Sequence, residues 1–259
     1  MVSIQIVELS AVIGFWLAFT KMLTILVQIP LFDEVAIPNI VKILAALIIT
    51  FALYPSVSPQ VMQDIDKFGA DNLIFLTIVY AATGLLIGFM VKSLMQLFIS
   101  AGSIITQQIG FGAVRYFDPN AGAQVGPFEK LLNWTILIMI LTSGALIPMF
   151  KGIKTSFFTV HAYDVGRIAQ YPLVFVGLFK SLFISSILLA GPLIFTNLLI
   201  MCVLGIIART VPQMNVLMVS FVLNIGVGLF VFSVGADEFF HMAFKIYTDK
   251  LGEWFALIT

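Results

Sequence analysis

The chain has 259 residues, of which 61% are hydrophobic and 10% charged, with 25 Phe and a mean hydropathy of +1.11. Soluble domains carry about 25% charge, so there is too little polar surface here to cover a water-facing globule, which excludes a soluble enzyme. Lys plus Arg and Asp plus Glu each total 13, leaving no basic field for a nucleic-acid backbone, and the single cysteine, Cys202, excludes a disulfide framework and a Cys-rich metal site.

Crossing the hydrocarbon of a bilayer takes ~20 residues of helix. Stretches free of Asp, Glu, Lys and Arg run over 43–63, 72–91, 93–114, 131–150, 181–208 and 210–236. These predict an all-α, polytopic membrane-type protein built from helical hairpins, with six main helices near 9–30, 40–57, 70–109, 128–150, 173–210 and 213–247. The first helix is expected to persist in the mature chain, because Met1 to Glu8 lack the basic n-region of a signal peptide and Lys21 interrupts the apolar stretch. No short repeat or linker divides the sequence, so residues 1–259 are read as a single domain.

In chain order, Pro30 and Pro38 bracket a short acidic turn after the first helix. The second helix is expected to stop near Tyr54-Pro55, followed by a solvated loop to Asp71 carrying Pro59, Asp64, Asp66 and Lys67. Gly84 and Gly88 form a small-xxx-small pair in the third helix, where another helix backbone can approach closely. That span is expected to soften at Ser100-Ala101-Gly102-Ser103. In the fifth, Gly191-Pro192 removes a backbone donor and is expected to bend or break the helix. Lys21, Lys42, Lys92, Lys180 and Arg209 lie within or beside apolar runs, which points to a polar interior, a subunit contact, or helices not wholly in lipid, with snorkelling from helix ends the alternative for Lys42 and Lys180.

Catalytic signatures are missing. His161 and His241 belong to no ligand-spaced pair, no serine sits in a Gly-x-Ser-x-Gly turn, and no Gly-rich segment carries a phosphate-loop lysine. Asp and Glu are expected almost wholly in loops. No catalytic residue, metal or cofactor is therefore assigned.

Two segments carry more information. Between Gly110 and Phe128, glycines at 110, 112, 122 and 126 alternate with Phe111, Val114, Tyr116, Phe117, Asp118 and Pro119. An apolar, irregular loop needs protein cover, so it is either a pore constriction or a buried connection between helices. In the second segment, Gly205 to Val216, Arg209, Pro212, Gln213 and Asn215 gather donors and acceptors between two long apolar helices.

On these residues the chain resembles the FliR family of flagellar export-gate proteins and its virulence-system relatives, the SctT proteins. The likeness covers nearly the whole chain. It is carried by Gly205, Arg209 and Pro212-Gln213-Met214-Asn215-Val216 with Phe221 and Val227-Gly228 downstream. It is carried further by Ala101-Gly102, Gln108, Gly110 and Asp118-Pro119, and by Pro30, Phe32, Ile37-Pro38, Lys42 and Pro55 of the first hairpin. The chain departs from the family pattern at Ser220-Phe221-Val222, where Gly-Phe-Pro is frequent, at Gly144-Ala145, where Gly-His is frequent, and at Lys21, where Arg is common. The resemblance implies a non-enzymatic subunit that assembles with FliP and FliQ, is contacted by FlhB, and serves the passage of unfolded flagellar subunits at the inner membrane in the flagellar basal body. Within that reading the loop from Gly110 to Phe128, with Gly110–Pro119 as its gate residues, is expected to plug the closed conduit, the competing account being a static connector held by Asp118-Pro119, and Gly205–Asn215 is expected to be an assembly motif. The competing expectation is a secondary transporter with a substrate site at broken helices near Gly110 and Gly191-Pro192.

Overall fold

The computed structural model describes residues 9–29, 37–111, 127–160 and 172–258. Among these there are seven α-helices, α1 (Leu9–Leu26), α2 (Asn39–Phe68), α3 (Leu73–Ile109), α4 (Pro127–Thr142), α5 (Leu146–Thr159), α6 (Pro172–Thr210) and α7 (Val216–Ile258), with one 3-10 turn at Ala70–Asn72. No strand occurs among the described residues. By length and composition α1, α2, α3, α6 and α7 can each cross a membrane, and α4 with α5 passes that test only as a pair.

Four expectations are corrected. α2 does not stop at Tyr54-Pro55 but runs through Pro55 and Pro59 to Phe68, so the expected loop is helix and Asp64 is buried in it. The acids are consequently not confined to loops, since Asp66 also lies in α2 and Asp237, Glu238, Asp249 and Glu253 lie in α7. The fourth predicted helix is two helices, divided where Gly144 takes φ +74, a conformation that costs an L side chain roughly 1–2 kcal/mol. α6 runs unbroken through Gly191-Pro192. Cys202 is exposed on α6.

The chain falls into two compact units. The first comprises Met1–Leu94, Ala145–Leu178 and Lys250–Thr259, the second Met95–Gly144 and Phe179–Asp249. In the first, α1 buries Ile13, Gly14, Leu17, Ala18, Lys21, Met22, Ile25 and Leu26. Those steps of one, three and four residues trace one face of a helix. α1 packs along α2, which also touches α5. The Tyr54 hydroxyl crosses from α2 to the Ala11 carbonyl at 3.0 Å. The last turns of α7 bury Leu251 and Trp254, and Phe255 lies directly against Gly152 of α5, where any Cβ would strike its ring.

In the second unit, Ile105, Ile109, Leu132, Ala190 and Leu193 form the core, joined by Phe111, Phe232, Phe239 and Phe240. The last three meet edge-on with centroids 5.3–6.5 Å apart, the geometry that aromatic quadrupoles favour. The Gln108 and Asn197 side chains hydrogen-bond to each other, tying α3 to α6.

Candidate functional site

The polar centre of the first unit was not foreseen as one. Lys21 and Asp64 are each 1% exposed. Lys21 Nζ donates to the Ser156 carbonyl oxygen at 2.8 Å, lies 4.3 Å from the centroid of the Phe157 ring, and is 6.0 Å from that of Tyr80. The Tyr80 hydroxyl donates to Asp64 Oδ2 at 2.8 Å, and the Asp64 carboxylate acts electrostatically on Lys21. The Ser156 carbonyl also accepts the Val160 N–H that closes α5. The ammonium thus sits at the negative end of a helix dipole, where a cation is favoured. Four helices, α1, α2, α3 and α5, contribute to this arrangement.

Sequence reasoning placed Lys21 among scattered cations and Asp64 in solvent. One signal could have found Asp64: Val57, Val61, Asp64 and Ile65, spaced by four, three and one, form a single buried stripe once the helix is allowed to pass its prolines. Tyr80 and Ser156 lie 16 and 92 residues from Asp64, and no local pattern connects them.

Gly84 and Gly88 bring α3 against α1. A Cβ on Gly84 would fall 2.6 Å from the Lys21 carbonyl oxygen and against the Thr24 hydroxyl, and one on Gly88 would fall 2.6 Å from Gln28 Nε2. Gln28 Nε2 in turn donates to the Leu85 carbonyl at 3.0 Å.

Of the Gly110–Phe128 loop, Gly112, Val114, Tyr116, Phe117, Asp118 and Pro119 lie outside the described residues. Its root is described. Gly110 takes φ +94 and lies beside α7, where a Cβ would sit 3.6 Å from Ile225 and 3.7 Å from the Cβ of Asn224. Phe111 packs on the core of the second unit.

The Gly205–Asn215 segment is the exposed end of α6 and the turn that follows it. Arg209, Pro212, Gln213 and Asn215 are all solvent-accessible. Asn215 Oδ1 accepts the Met218 N–H at 3.3 Å, the bond of an N-cap residue at the start of α7. Arg209 occupies the last turn of α6, again the favourable end of the dipole for a cation, and among the described residues it forms no ion pair. Gly205 meets nothing within 4 Å, as is also true of Gly177 and Gly191. Residues 14 apart advance by about −40° on an α-helix, so these three glycines lie on one side of α6. Lys21 lies in the first unit and Arg209 in the second. Among the described residues no three His, Cys, Asp or Glu side chains gather to hold a metal ion.

Comparison with known proteins gives a consistent result. Residues 12–249 match the family described as bacterial export proteins, family 1. The flagellar biosynthetic protein FliR of Bacillus subtilis (strain 168) is 25% identical over 238 residues, 91% of this chain and 90% of the relative. FliR of Aquifex aeolicus (strain VF5) is 27% identical over 223 residues, 83% and 82% of the two chains. The surface presentation of antigens protein SpaR of Shigella sonnei is 26% identical over 195 residues, 73% and 72%. The family match spans both units and takes in Lys21, Asp64 and Arg209 alike, and the chain therefore belongs to the bacterial export proteins, family 1.

Proposed function

We propose that the chain is a structural and gating subunit of the flagellar type III export apparatus, set at the bacterial inner membrane in the basal body. There it forms with FliP and FliQ, and in contact with FlhB, the conduit for unfolded flagellar subunits. The observation that carries this reading is the family match over residues 12–249. The apolar surface of α6 is in keeping with it: beyond the exposed Lys180, large exposed hydrophobic side chains run from Phe183 to Ile206, a helical rise of about 35 Å that hydrocarbon or an apolar helix of another subunit can cover. The open glycines at 177, 191 and 205 support the same reading, since each costs a helix interior roughly 1 kcal/mol and each offers a neighbouring helix a close approach.

In this reading the Gly110–Phe128 segment seals the idle conduit by excluding water, with Phe111, Val114, Tyr116 and Phe117 as its apolar groups. Gly205 to Asn215 is the assembly motif. Flagellar service is favoured over virulence service because the FliR relatives cover more of the chain than SpaR does. The transporter alternative loses one of its two broken helices, as α6 is continuous at Gly191-Pro192.

Purification from membranes tests the reading. The chain should co-purify with FliP and FliQ, and its deletion should abolish export of rod and hook subunits while other secretion continues. A self-contained monomer or homo-oligomer, or a deletion strain that still builds filaments, would refute it. Arg209→Leu should reduce the yield of assembled complex by a larger factor than Arg209→Lys. In the assembly the guanidinium must meet a carboxylate or helix-terminal carbonyls, and Leu leaves those acceptors unsatisfied. Wild-type amounts of complex with Leu would make Arg209 a surface residue.

A further inference from the structure

The outer face of α5 suits neither water nor hydrocarbon. Its inner face, Met149, Ile153, Ser156 and Phe157, is buried in the first unit. On the opposite face Ile147 is 72% exposed and Phe158 38% exposed, with Lys151 exposed between them and Lys154 half-buried at the edge. Positions 147, 151 and 158 are four and seven residues apart, so they form one stripe along the helix. A helix turned to water has nothing to gain from exposing Ile147 so fully. A helix turned to hydrocarbon would have to hold Lys151 in it, which is strongly unfavourable. The boundary between the two media accommodates both kinds of side chain, the apolar groups lying at acyl-chain level and the lysine stems reaching outward to the phosphates.

Charge identifies the lipid. From Lys130 to Tyr163 the chain holds Lys130, Lys151 and Lys154 and no acid, and among the described residues neither Lys151 nor Lys154 forms an ion pair. A protein partner is the weaker candidate, since interface cores are depleted in Lys and enriched in Arg. We propose that α5 lies in the headgroup layer of a bilayer and binds anionic phospholipid through Lys151 and Lys154, with Ile147 and Phe158 set into the acyl boundary. This is independent of the conduit reading and holds or fails without it.

The test uses the full chain, in whatever complex it forms in the host membrane, reconstituted into lipid discs of phosphatidylcholine with or without phosphatidylglycerol. A spin label at Ile147→Cys in a Cys202→Ser background should be relaxed by dissolved oxygen and only weakly by a water-soluble nickel chelate. Shielding from both reagents would put protein on this face, and relaxation by nickel stronger than by oxygen would put it in water; either result overturns the proposal. In native mass spectrometry, K151Q/K154Q should retain phosphatidylglycerol on the order of tenfold more weakly than wild type, given the attraction of each basic residue to an anionic surface. K151R/K154R should retain it. Equal retention by the Gln variant would remove these lysines from the site.

Discussion

Lys21→Met is expected to destabilise the chain by about 1–3 kcal/mol, the usual cost of leaving a buried acceptor without its donor. Met matches the lysine stem in length and packs well, so the loss would come from the ammonium. Without it the Ser156 carbonyl loses its buried donor, the Phe157 ring loses a cation at 4.3 Å, and the carboxylate of Asp64 keeps its burial but not the field of the lysine. Lys21→Arg keeps the charge and should lose less. The double variant Lys21→Met with Asp64→Asn removes both charges while leaving Tyr80 an acceptor, and it should recover part of the loss, since no buried carboxylate is then left without a nearby positive charge. Thermal unfolding in mild detergent would measure all three. A Lys21→Met melting curve that overlays the wild type, or a double variant no better than the single, would show that the charges do not act on each other.

Gly84→Ala should cost about 1–3 kcal/mol by forcing α1 and α3 apart. The new methyl would meet the Thr24 hydroxyl and, at 2.6 Å, the Lys21 backbone carbonyl. The first can rotate away and the second cannot, so Thr24→Ala added to Gly84→Ala should restore only part of the stability. Gly205→Ala is the control. Its Cβ meets nothing within 4 Å, and the isolated chain should be unharmed or slightly stabilised by the better helix former. If Gly84→Ala melts like Gly205→Ala, the close approach of α1 and α3 has been misplaced.

Helix type and most helix ends were legible in the sequence because they depend on nearby residues. Ile109, Thr210 and the start at Asn39 fall where glycine or proline punctuates the chain. The misread end of α2 has a tertiary cause. Pro55 and Pro59 carry the local signal of a helix stop, but the buried stripe of Val57, Val61 and Ile65 holds the helix through them, so packing overrides propensity. At Gly144 the reverse holds: the surrounding sequence is apolar and continuous, and only the positive φ reveals the break. The polar centre was hidden for a different reason. A lysine within an apolar run has many possible partners, and Asp64, Tyr80 and Ser156 are selected only when distant segments pack together. The glycine pair and the Arg209 turn, being local motifs, could be singled out in advance, whereas Gly112 to Pro119 of the loop lie outside the described residues.

The two prolines of α2 also record a water level. Each lacks an N–H, so the carbonyls of Phe51 and Pro55 have no amide donor of their own helix. Pro55 O receives only a long 3.5 Å contact from the Ser58 hydroxyl. Both prolines are exposed, and at the same height the outer face of the helix changes from Ile48 and Phe51 to Ser56, Gln63 and Asp66. Bare carbonyls are costly against hydrocarbon but readily solvated by water. The backbone therefore changes at the same level as the side chains: above it the outer face of α2 is apolar, and below it the face is polar. Amide hydrogen exchange along this one helix should accordingly rise stepwise near Pro55, on the outward-facing residues first.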